Sequence, residues 1–151
     1  MGAPEGINPE HWGQLTAAGP AIARAVAVVA GGAKDTEREL EAFLAYASRE
    51  SEDDSPVLAT LIADTLARVA AGASATGDPY QAGLTAAREA GAVLATAVPE
   101  TDAAAIRAWL LGAGRSVAAA AREGGVLGLG GHAVSTAEEE TIAEIADALG
   151  A

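Results

Sequence analysis

The chain has 151 residues, half of them hydrophobic and only 3% aromatic, with 9 basic residues against 21 acidic ones for a formal net charge of -12. That length suits one compact domain over residues 1–151, an apolar content built on Ala, Leu, Val and Ile points to helices, and so acidic a chain repels nucleic-acid phosphates and anionic lipid surfaces. With no cysteine, disulfides, thiolate metal sites and cysteine nucleophiles are excluded together.

Met1 to Ile7 lacks the charged start and apolar run of a signal peptide, and Ile22 to Ala33 and Ala103 to Ala121 are interrupted by arginine and glycine before a membrane span is complete. The expectation is a cytoplasmic protein with no membrane insertion. Asn8-Pro9 then starts a helix, as a cap residue followed by proline where a missing N–H costs nothing. Gly19-Pro20 should break or kink it; Ile22, Val26 and Val29 carry it on to Gly31-Gly32. Thr36 with Glu39 has capping-box spacing, and Leu40, Phe43, Leu44 and Ala47 form the expected buried stripe of the next helix.

Ser48 to Asp54 is acidic and aperiodic, an exposed loop or frayed end. Ser55-Pro56 repeats the cap-then-proline signal, with Leu58, Ile62, Leu66 and Val69 as the stripe and Asp64 and Arg68 spaced for an ion pair. Ala71 to Gly77 is a small-residue connector, and Asp78-Pro79 opens a helix bearing Leu84, Ala87, Gly91 and Leu94. Beyond a turn at Pro99, a helix from Thr101 or Asp102 presents Ile106, Trp109, Leu110, Ala113 and Val117. Glycines at 124, 125, 128, 130 and 131 make the turn that follows, with Leu127 or Leu129 expected to tuck into the core, and Ser135 with Glu138 caps the last helix. The pattern predicts an all-α bundle of about six helices and no strand.

An internal repeat accompanies these elements. Arg24, Val26 and Ala27 align with Arg115, Val117 and Ala118, the double glycines at 31–32 with those at 124–125, Thr36 with Ser135, Phe43 with Ile142 and Ala47 with Ala146. Two pseudo-symmetric helical hairpins, in halves of about 8–72 and 78–151, are therefore expected to pack about a twofold axis. With Glu138 to Glu140 and the closing Ile145-Ala146-Asp147-Ala148-Leu149-Gly150, these residues resemble the TerB-like helical domains associated with tellurite resistance. This chain departs from the family's Asp-Gly turns, which puts any ion binding through them in question. The resemblance implies a stress-linked accessory or binding protein, not an enzyme.

The chemistry-bearing residues are few. His11 and His132 are the only histidines, so the di-iron bundle types fail by count; a mononuclear site from His132 with Glu138 or Glu139 is the one metal alternative. Gly128 to Gly131 lacks the Gly-Lys-Ser/Thr of a phosphate loop and precedes three glutamates, and no hydrolase elbow is present. Arg107, Arg115 and Arg122 share one helical face, a potential anion stripe or internal ion-pairing set, and Trp12 near the terminus is the surface aromatic expected to anchor a partner. The candidate binding residues are thus Trp12, Arg115, Arg122 and His132. The expected function is a non-enzymatic interaction or stress-accessory module that binds a partner protein or its own copy and carries no cofactor. The alternative is a divalent-cation-binding protein using carboxylates at the turn-to-helix junctions.

Overall fold

The computed structural model describes residues 2–31, 36–49, 55–72, 77–123 and 136–150, with the backbone alone at 30, 31, 36–39 and 121–123. The described residues form an all-α bundle of six helices: α1 (Pro9–Gly31), α2 (Thr36–Ser48), α3 (Pro56–Ala70), α4 (Pro79–Thr96), α5 (Glu100–Glu123) and α6 (Thr136–Leu149). No strand occurs among the described residues. The Ser135 cap, the turn glycines from Gly124 on, and Leu127 and Leu129 lie outside them.

Local signals account for where the helices start. The Asn8 side chain accepts the backbone N–H of His11 at 2.7 Å, Ser55 accepts that of Leu58 at 3.2 Å, and Asp78 accepts that of Tyr80 at 3.0 Å, each ahead of a proline in the first turn. The connector after α3 is bounded by Gly72 and Gly77 at φ 79° and 95°, a backbone region that glycine enters without steric cost.

One cluster of buried side chains draws on all six helices. Helices α4 and α5 bury the expected stripes, with Ala87, Ile106, Leu110, Ala113 and Val117 wholly inaccessible. The most extensive pairing, α1 with α4, joins helices on either side of the Ala71–Gly77 connector. Gly83 permits that closeness: a Cβ there would stand 2.4 Å from the Ala25 Cβ and 2.8 Å from the Ala21 carbonyl oxygen. Gly91 does the same for α6, where a Cβ would meet the Ala148 carbonyl oxygen at 2.2 Å. Helices α1 and α5 lie alongside in the same direction, since Gly19 faces Trp109 and Gly114 faces Ile22 and Val26.

Three expectations need correcting. Of the break or kink expected at Gly19-Pro20, the break does not occur, since α1 runs as one helix through Pro20. A proline inside a helix costs about 3 kcal/mol, and here Leu15, Ala18, Ile22, Ala25 and Val26, all inaccessible to solvent on both sides of it, supply more than that through burial. Among the described side chains of α2 the buried ones are Phe43 and Ala47, with Tyr46 half-buried, while Leu40 is 46% exposed. The helix is rolled so that its aromatics meet Trp109, with ring centroids 6.3 Å away for Phe43 and 5.9 Å for Tyr46. In α3 the inner face is Leu58, Leu61 and Thr65, leaving Ile62, Leu66 and Val69 partly covered.

Candidate functional site

Trp12, the expected surface anchor, is interior: it is 5% exposed, and its indole N–H donates to Asp64 Oδ2 at 2.8 Å. The physical reason is that α3 packs across the start of α1 and brings a carboxylate to the one polar atom of the ring, which a buried indole needs. Asp64 therefore turns to Trp12 rather than to Arg68.

Arg115 is exposed on α5. It acts with Arg49 on the Tyr46 phenol, whose pKa burial raises above the ordinary tyrosine value while the two positive charges oppose the rise. The same phenol donates to the Trp109 carbonyl oxygen at 2.9 Å and lies over Gly112, so it serves the α2–α5 junction. Trp12 and Arg115 are not brought together. By the register of α1 against α5, Arg115 sits near Ala25, about 13 positions and roughly 20 Å along the axis from Trp12. The Arg122 side chain and the whole of His132 lie outside the described residues.

Arg107, grouped in sequence with Arg115 and Arg122 as a stripe, is structural. Its Nε donates to the Leu149 carbonyl oxygen at 3.0 Å, and its Nη1 is 3.3 Å from Glu100 Oε1. It thus caps the last turn of α6, the negative end of that helix, while pairing with an acid of its own helix.

The two glutamates of the metal alternative diverge. Glu138 is 8% exposed, on the inner face of α6 with Thr141, Ile145 and Leu149, whereas its neighbour Glu139 is exposed, as the helical turn of about 100° per residue requires. Among the described residues no three His, Asp or Glu side chains are grouped so as to hold a metal ion. No described helix is long and apolar enough to cross a membrane.

No family model, no curated protein and no solved structure matches the chain.

Two features escaped the sequence reading. Tyr80 on α4 donates to Glu144 Oε2 on α6 at 2.6 Å. Accepting carboxylate first, then burial and the charges of Glu144 and Glu140, raise the Tyr80 pKa, with Thr141 opposing. The other is a pair of large apolar side chains left in solvent: Val28, 43% exposed near the end of α1, and Leu40, 46% exposed near the start of α2. Val28 lies off the buried face of α1, which was a readable signal. Leu40 fell on the expected stripe, and only the roll of α2 onto Trp109 turned it outward.

Proposed function

We propose that the chain is a non-enzymatic helical interaction module, of the stress-accessory kind implied by the TerB-like resemblance, which docks a partner protein or a second copy of itself. The observation that supports this is the exposure of Val28 and Leu40 on successive helices, in a chain whose other described large hydrophobics are at least partly covered. The exposed acids of α6, Glu139, Glu140, Glu144 and Asp147, and the net charge of -12 disfavour nucleic acid and anionic lipid as the partner class. A photo-crosslinking residue at position 28 or 40, combined with sedimentation of the purified protein over a range of concentrations, tests the reading. A specific cross-linked protein, or an association abolished by Val28→Glu with Leu40→Glu, is expected; a strictly monomeric chain with no cross-linked partner in its native cell would sink it.

Duplication of a helical hairpin belongs to the same proposal. In its favour, the aligned pairs Ile22 with Ala113, Val26 with Val117 and Ala27 with Ala118 are all buried. In α2 and α6 the burial agrees for a different alignment, Phe43 with Thr141 and Ala47 with Ile145, one position away from the expected pairing with Ile142 and Ala146. Superposition of the hairpins should accordingly fit better in the shifted register; helix pairs crossing at unrelated angles would end the duplication idea.

A further inference from the structure

Helix α3 differs from the other five in how it is held. It makes the least tertiary contact of any helix, packing on α1 and only lightly on α2 and α5. Its inner face is short, Leu58, Leu61 and Thr65, and the Thr65 hydroxyl, wholly buried, has no hydrogen-bond partner among the described residues. A buried hydroxyl in that condition opposes docking, because it would regain hydrogen bonds to water on exposure. Two side-chain hydrogen bonds counter this, one at the start of the helix and one at its middle. Ser55, its N-cap, donates to Asp102 Oδ1 at the start of α5 at 2.7 Å, and Asp64, midway along the helix, accepts from Trp12 at 2.8 Å. Both acceptors are carboxylates, which makes each bond charge-assisted, and both bonds are only partly buried, within reach of competing water.

We propose that α3 is a strap which undocks from α1 as a unit while the remaining helices stay packed, with the Ser55–Asp102 and Trp12–Asp64 hydrogen bonds as its two catches. Opening uncovers the Trp12 indole and the Leu58–Leu61 face together. The rest of the core is not required to move, since the pairings of α1 with α4 and α5, of α2 with α5 and of α4 with α6 do not involve α3.

Native-state hydrogen exchange of the full chain, read by mass spectrometry, tests this. In the unaltered protein the amides of residues 59–70 should open at least tenfold more often than the slowest amides of α4 and α5. Trp12→Phe, which removes the indole donor and keeps a ring, and Asp102→Ala, which removes the Ser55 acceptor, should each speed α3 exchange by roughly tenfold, whereas Val93→Ala on α4, whose contacts stay made while α3 is open, should speed the slowest amides of α4 and α5 and leave α3 exchange unchanged. Thr65→Val should act the other way and slow α3 severalfold. Exchange of α3 in common with α4 and α5 in the unaltered protein would overturn the proposal, as would catch variants that leave α3 exchange unchanged or a Val93→Ala variant that speeds α3 in step with α4 and α5.

Discussion

Helices α2 and α6 each follow a long helix and a glycine-containing stretch and begin with acids close to a threonine, yet they are anchored by different means. Helix α2 is held by aromatic side chains: Phe43 and Tyr46 pack on Trp109, and Gly19 and Gly112 leave the space for them. Helix α6 has no aromatic residue. It lies with its backbone against Gly91 and is tied by Tyr80 to Glu144 and by Arg107 to the Leu149 carbonyl. A capping pattern thus specifies where a helix begins, while the face it buries is chosen by the partner it meets.

The largest test of that contrast is truncation. Phe43→Ala should cost about 3–5 kcal/mol and Ile145→Ala about 2–4, because both side chains are essentially inaccessible; Ile142→Ala, at the aligned but only partly covered position, should cost about half as much as Ile145→Ala. Urea unfolding measures all three. Equal losses at 142 and 145 would refute the shifted register of α6.

Gly91→Ala should cost about 1–3 kcal/mol through overpacking, since the added methyl meets the α6 main chain at Ala148 and Leu149. Gly112→Ala should cost less, because the nearest atoms belong to the outer end of Tyr46, which can move. Thermal melts that rank the two in the opposite order would show that side-chain anchoring of α2 is the more rigid of the two modes.

Arg107→Ala should destabilise by about 1–2 kcal/mol, the loss of a charge-assisted bond to a helix-terminal carbonyl from a partly buried side chain, with fraying confined to the end of α6 in amide exchange. Unaltered protection there would mean that the Gly91 contact alone holds the helix end.

Calorimetric titration with Ca²⁺, Mg²⁺ and Zn²⁺ should find no stoichiometric micromolar site, because Glu138 and Glu139, in the first turn of α6, are already stabilised by the positive end of the helix dipole and the sequence before them lacks the alternating Asp/Asn oxygens of a calcium loop. A site abolished by changing both to Gln would instead make the α6 start a binding element with no counterpart in the anchoring of α2.

The smallest effect concerns pH. Tyr80 has its pKa raised above the ordinary 10.0 in the folded state, chiefly by its bond to Glu144. The sign follows from linkage: a raised folded pKa contributes stability in full below the unfolded value, about 10, and loses it as pH rises through the folded value. Tyr80→Phe should therefore lower stability slightly near neutrality, where the contribution is fully present, and flatten the alkaline end of the profile, so that the two proteins converge above the folded pKa. A difference between the two proteins at pH 7 that matches the one at pH 11 would show that Tyr80 acts by packing alone.

The starts of α1, α3 and α4 were legible at Asn8-Pro9, Ser55-Pro56 and Asp78-Pro79, and the buried faces of α4 and α5 at Leu84 to Leu94 and Ile106 to Val117. Caps and prolines act within one turn, through bonds between residues two or three apart, and a helix covered by several neighbours buries whatever apolar stripe it has, so both are properties of a short stretch of chain. The passage of α1 through Pro20, the exposure of Leu40, the burial of Thr65 and the interior place of Trp12 depended on partners distant in the chain, Asp64 lying 52 residues from Trp12. Amino-acid order alone determined an all-α chain with its breaks and caps; only the packed bundle decided which of two nearly equivalent faces turned inward, because that choice compares contacts that do not exist until the helices meet.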